Sequence, residues 1–338
     1  MTTHPSQPRA GSTPTTPIEI ERLGRDRALG ALERLITAGN PKLGARRLLE
    51  NAEAHGIDPG LLWGSHARGA RGDAFVRQSC MVVRGAGGTG MCFLSAPTHD
   101  PRLGDRETQI GEIRSVLAAA LDDLASRDTG VSLAQCLLET DQVWARRVCE
   151  GAGMISVGTL EYLRLGFGAV RAMTPEPGGW PRGVEVRPIG SLDEGSPDLA
   201  ALIAALGASY EGTLDCPELC GLRSIGQVID SHTSAGEFDP SRWWLLFIEG
   251  EPRGCCLLSH CPASESVELV YLGIGAGARG RGLGKRLLTH ALASLRIEGV
   301  VHEVTCAVDR RNEPAACMYR SMGFRRFDSR LGFVKRVR

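Results

Sequence analysis

Between Val267 and Leu288 the sequence reads VELVYLGIGAGARGRGLGKRLL, an apolar run that enters a glycine-rich turn and leaves it as a helical pattern with Leu283, Leu287 and Leu288 on one face. A strand, a glycine turn and a helix N-terminus in succession aim several unpaired backbone N–H groups, and the positive end of a helix dipole, at one spot. Glycine lets a phosphate approach that backbone closely. The chemistry this predicts is the binding of a pyrophosphate. A P-loop is excluded, because Arg279 and Arg286 stand where its first glycine and its Ser or Thr belong. Gly275, Gly277 and Gly280 do satisfy the dinucleotide pattern GxGxxG, but the chain that follows is too short for the rest of such a fold. A nicotinamide- or flavin-binding enzyme is therefore the less favoured alternative.

A second group of residues lies downstream. Asn312, Ala315, Tyr319, Gly323 and Phe324 form N-x-x-A-x-x-x-Y-x-x-x-G-F. Asn312 suits a helix N-cap, Pro314 the first turn and Gly323 the stop, and Ala315, Met318, Tyr319 and Met322 share one face. Arg279, Gly282 and Gly284 spell R-x-x-G-x-G in the upstream turn. The two segments together resemble the two signatures of the GNAT superfamily of N-acetyltransferases, and the resemblance covers Val184 to Arg338.

The resemblance implies an acetyl-CoA site and no metal. It places the pyrophosphate on the amides of Gly280, Arg281, Gly282, Leu283, Gly284 and Lys285, with Arg279 and Asn312 as further contacts. It also implies a notch between two splayed strands, here the runs ending at Ile274 and Val308, in which a strand N–H near Leu272 polarises the thioester carbonyl. Tyr319 would protonate the departing thiolate. An amine with a lysine-like pKa near ~10.4 is protonated at neutral pH and must lose a proton before it attacks. Glu268, the one acid inside the strand VELVYLGI, is the candidate base, directly or through water. Acceptor choice is expected from the segment Tyr210 to His232, where Tyr210, Glu211 and Asp215 are candidates for holding a cationic amine. The predicted reaction is direct attack by a small-molecule or peptide amine in a ternary complex. A non-catalytic acyl-CoA sensor shares the binding site and is the other reading.

The elements that must position these residues form an α/β pattern. In the second half, strands are predicted at Val184–Pro188, Arg242–Ile248, Gly254–Ser259, Val267–Ile274, His302–Val308 and Phe324–Val337, with helices at Leu199–Leu206, Leu283–Leu295 and Ala315–Met322. The first half has a helical hairpin over Arg25 to Ala54 broken at Gly39, Asn40 and Pro41. Strands follow at Phe75–Val83 and Gly90–Ser95, then a helix through Ile110 to Leu124. A strand Val131–Leu138, a short helix Val143–Cys149 and a strand from Met154 to Leu165 complete it. The shared element order predicts two tandem acyl-CoA N-acyltransferase-like domains, each a mixed central sheet flanked by helices: 18–168 degenerate and 184–338 catalytic, joined by a Gly- and Pro-rich linker over 169–183. Residues 1–17, rich in Thr, Ser and Pro, are expected to be a disordered tail. The first half is degenerate because its equivalent turn, APTHDPRLGDRETQ over 96–109, lacks R-x-x-G-x-G, and counting from Asp141 as from Asn312 reaches Val148 and no tyrosine. This tandem plan is similar to that of the mycothiol synthases; no acceptor follows from it.

Composition narrows the class. With 42% hydrophobic and 23% charged residues in 338, the chain has the make-up of a globular protein. Lys plus Arg equals Asp plus Glu at 39 each, so no global field draws it to nucleic acid or an anionic membrane. No apolar run is long enough to span a bilayer and no signal pattern opens the chain, which predicts a cytoplasmic protein. Its 11 cysteines then read as reduced thiols, and Cys216, Cys220 and His232 lack the fourth ligand of a zinc site. Oligomeric state is not encoded in any of these features.

Overall fold

In a computed structural model of the chain the described residues are 18–338 except 53, 55–56, 69–73, 175–178 and 296–299. The terminal tail and part of the Gly- and Pro-rich segment lie outside them. The elements in chain order are β1 (Glu19–Arg22), α1 (Arg25–Leu35), α2 (Pro41–Glu50), β2 (Leu62–Arg68), β3 (Ala74–Gly85), β4 (Thr89–Leu94), α3 (Arg106–Ser126), β5 (Leu133–Glu139), α4 (Val143–Gly151), β6 (Ile155–Gly166) and α5 (Phe167–Arg171). They continue as β7 (Val184–Pro188), α6 (Pro197–Tyr210), α7 (Ile225–Thr233), β8 (Trp243–Ile248), β9 (Glu251–Cys261), β10 (Ser266–Ile274), α8 (Leu283–Ala293), β11 (Glu303–Asp309), α9 (Glu313–Ser321) and β12 (Arg325–Arg336). This is the α/β order read from the sequence, with β1, β2, α5 and α7 added.

Two compact units are present, Met1–Met81 with Leu94–Ala120, and Val82–Phe93 with Leu121–Arg338. In the first, β1, β2 and β3 pair antiparallel in that order. Its interior holds an ion pair between Arg77 and Glu112, at 2.9 Å. The Arg77 guanidinium also donates to the carbonyls of Arg102 and Leu103, so this buried charge is fully engaged.

The second unit carries the sheet that matters for the site, with strands side by side in the order β5-β12-β6-β11-β10-β9-β8-β7. The pairs β4–β5 and β10–β11 are parallel and the others antiparallel. The last strand of each half is thus embedded in the other: β12 runs between β5 and β6, and β6 between β12 and β11. One face of β9, β10 and β11 packs Leu258, Val267, Leu269, Val304 and Val308 against Leu283, Leu287 and Leu288 of α8. The opposite face of β8 and β9 packs Trp243, Leu245 and Leu257 against Leu202 and Leu206 of α6 and Ile229 of α7. Local signals fix the helix starts. Ser196 caps α6 ahead of Pro197, and Ser224 with Gln227 closes a reciprocal capping box on α7.

Candidate active site

Parallel register between β10 and β11 runs through Ser266↔Glu303 and Val267↔Val304 and ends at Glu268↔Thr305, although β10 continues to Ile274 and β11 to Asp309. On its other side β10 stays paired with β9, with a register shift between Leu269 and Tyr271. Such a bulge adds a residue to one strand and turns it out of the ladder. The result is a notch between two strands that are held only from their outer sides.

The glycine turn closes the end of this notch. After a 3₁₀ turn at Ala276–Ala278, Gly280 and Gly282 adopt φ +75° and +73°, the left-handed region that favours glycine. Gly282 is the N-cap of α8, and no side chain caps the helix. A Cβ placed on Gly280 or Gly282 would meet nothing within 4 Å, and the turn and the first residues of α8 line a cleft. A helix N-terminus of this kind is suited to an anion. Leu283 is buried in the core under the sheet, so its amide is what it offers the cleft. Lys285 Nζ donates to Ser321 Oγ at 3.1 Å. The Arg279 guanidinium is spent on three carbonyls, those of Ile274 (3.0 Å), Gly212 (2.9 Å) and Ser209 (2.6 Å), and so ties the end of α6 to the end of β10.

Asn312 caps α9, its side chain accepting from Ala315 N, with Pro314 in the first turn. This fixes the helix that carries Tyr319, a residue 6% exposed whose ring packs on Phe324 at 5.4 Å between centroids. Burial pushes the phenol well above its ordinary value, so the hydroxyl keeps its proton. Tyr319, Asn312, Leu272, Ile274, Gly280, Gly282 and Lys285 line one cleft of about 660 Å³.

The acceptor-side candidates separate. Asp215 lines the same cleft. Its Oδ1 accepts the Asp309 amide at 2.7 Å, the Asp309 carboxylate accepts the Cys216 amide in return, and burial raises the Asp215 pKa. Tyr210 instead joins the core around α6, edge-on to Tyr271 at 6.0 Å, its phenol pushed up to about 12 by burial. Glu211 is exposed at the end of α6. Glu268 is half-buried on β10, and desolvation raises its pKa. Arg311 carries no sequence signal of its own, yet it pairs with Asp309, at 2.6 Å, and with Glu218, and donates to the Val157 carbonyl of β6. It thereby locks the acceptor segment to the root of α9. Among the described residues no group of three His, Cys, Asp or Glu side chains is placed to hold a metal, and no helix is long and apolar enough to cross a membrane.

Residues 217–324 match the profile of the acetyltransferase (GNAT) family. The mycothiol acetyltransferase of Beutenbergia cavernae is 29% identical over 240 residues, 62% of this chain and 74% of that protein. A 5-NmdU N-acetyltransferase of Pseudomonas phage PaMx11 is 38% identical over 77 residues, 22% of this chain and 51% of the phage protein. Among solved structures, a GCN5-related N-acetyltransferase from Sphaerobacter thermophilus superimposes with a TM-score of 0.56 at 19% identity, covering 96% of this chain and 98% of its own.

Proposed function

We propose that this chain, an acyltransferase whose second half belongs to the GNAT acetyltransferase family, moves an acetyl group from acetyl-CoA to a primary amine by direct attack in a ternary complex. The observation that carries the reading is the convergence of parted strands, an uncapped helix N-terminus and Tyr319 on one cleft. The cradle amides at 280–285 hold the pyrophosphate, and acetyl-CoA supplies the thioester. Beyond the parting of β10 and β11, the backbone at Leu272 offers the hydrogen bond that polarises the thioester carbonyl. Glu268 takes the proton that the ammonium must lose, and its raised pKa suits a base working near neutrality. As the C–N bond forms and the C–S bond breaks, the Tyr319 hydroxyl gives a proton to the sulfur, and the second proton shed by the acylated nitrogen restores the Tyr319 hydroxyl. Asp215 stands in the same cleft as a contact for the cationic acceptor.

A thermal-shift comparison of acetyl-CoA, NAD and FAD, followed by thiol detection over an amine panel, tests this. Stabilisation by acetyl-CoA and amine-dependent thiol release are expected. Stabilisation by NAD or FAD in its place overturns the reading.

A further inference from the structure

Strand β6 comes from the first half of the chain but lies against β11, the strand that flanks the parting from Glu268. Leu163 and Leu165 of β6 are buried in the core beneath α8, as are Val267 and Leu269 of β10 and Val304, Cys306 and Val308 of β11. Strand alternation therefore turns Tyr162, Arg164, Glu268, Thr305 and Ala307 to the opposite face together. Register confirms the neighbourhood: Thr305 stands opposite Arg164, and Ala307 opposite Tyr162. Of these, Ala307, the register partner of Tyr162, lines the cleft, whereas Glu268, Tyr162 and Phe327 lie outside its lining.

On this face β12 adds Phe327, thrown out by a register shift between Arg326 and Asp328. The residue is 47% exposed, and its ring meets Tyr162 edge-on at 6.3 Å and lies under the Arg164 guanidinium at 5.4 Å. The cations here are already offset, Arg164 by Glu303 and Arg330 by Asp328. Burial raises the Tyr162 pKa, Arg330 counters it, and Asp328 and then Glu268 add smaller upward effects. Glu268 and Tyr162 share this face with β11 between their strands, and Phe327 lies on β12, one strand beyond Tyr162. A half-buried carboxylate on one side of β11 and two aromatic rings on the other, one with an open face, match a ligand that is cationic at one end and flat at the other.

We propose that Tyr162 is a specificity-determining residue: with Phe327 it forms an aromatic corner, on the same face as Glu268 and across β11 from it, that takes the ring of a primary amine carried on a flat ring. The inference rests on the reading of this face as the acceptor side of an acyltransferase. It also gives the first half a direct part in the site, since no residue after 183 supplies Tyr162.

The test compares 2-phenylethylamine with n-hexylamine, similar in basicity and apolar size, by calorimetry on the full chain saturated with coenzyme A. The wild type should bind the ring amine about three- to tenfold more tightly. Tyr162→Leu and Phe327→Leu should each abolish that preference, Tyr162→Phe should keep most of it, and an unchanged acetyl-CoA affinity shows that the variants are folded. Equal binding of the two amines by the wild type, no binding of either, or a preference that survives both leucine variants overturns the proposal. Ring preference without amine-dependent thiol release supports the corner and faults the transfer reading instead.

Discussion

Glu268 and Thr305 are the last register partners of the parallel β10–β11 ladder, and the candidate base therefore sits at the fork where the two strands part. Desolvation at this position raises the Glu268 pKa. A base works when deprotonated, so kcat/KM should rise with pH along a limb placed above the ordinary glutamate value of 4.5. Glu268→Gln should remove that limb and lower turnover. The stability sign is opposite: a carboxyl whose folded pKa is raised loses its stabilising contribution as pH rises through that pKa, so the glutamine variant should be no less stable at pH 7. A pH–rate profile unchanged by the substitution would exclude Glu268 as the base.

The open space around Gly282 makes the cradle testable. Its φ of +73° already disfavours any L side chain by roughly 1 kcal/mol or more, and a carboxylate there would also occupy and repel the pyrophosphate position. Gly282→Glu should lose measurable acetyl-CoA binding by calorimetry while the protein stays folded. Undiminished affinity in a folded variant removes the site assignment.

Tyr319 is packed by Phe324 and buried at the cleft wall, so Tyr319→Phe keeps the ring contacts and deletes only the hydroxyl. If that hydroxyl acts mainly in the transition state, turnover should fall by roughly 10- to 10⁴-fold with acetyl-CoA affinity nearly unchanged. Equal rates for the two proteins would make Tyr319 a core aromatic.

What the sequence made legible was whatever depends on local chemistry. The glycine-rich turn, the Asn312 cap with Pro314, the apolar run of β10 and the helical runs of α8 and α9 are written within short windows, and these elements are found in place. Strand order is not local. Nothing near Ile155–Gly166 shows that this strand will lie between β11 and β12, so Tyr162 on the same face as Glu268 could not be read in advance. Arg279 is a related case. Its spacing marked it as part of the glycine signature, but the carbonyls it serves include Ser209 and Gly212, far back in the chain.

That clamp has a measurable cost of removal. Arg279→Ala strips donors from the carbonyls of Ile274, Gly212 and Ser209, and charged hydrogen bonds of this partly exposed kind contribute about 1–2 kcal/mol together. Denaturant unfolding should show a loss of that order. Because the same clamp holds the end of β10 ahead of the cradle, acetyl-CoA affinity should weaken as well. A variant with normal stability and affinity would show that the clamp is dispensable.

The equivalent turn of the first half occupies its own helix N-terminus. Asp105 Oδ1 accepts the Thr108 amide at 2.7 Å at the start of α3, and Asp100 accepts the Arg102 amide at 3.0 Å one turn earlier. Gly104, at φ +81°, is the one left-handed glycine there. Where α8 has no side-chain cap, α3 satisfies an amide with its own carboxylate, whose negative charge also repels phosphate. The position that corresponds to Tyr319 is Val148, fully buried in α4 and without a proton to give. We therefore expect one acetyl-CoA per chain. Calorimetric titration of the full chain should give a stoichiometry near one, and Gly282→Glu should reduce it to zero. A second site that persists in that variant would show that the first half binds the cofactor by means other than an open amide cradle.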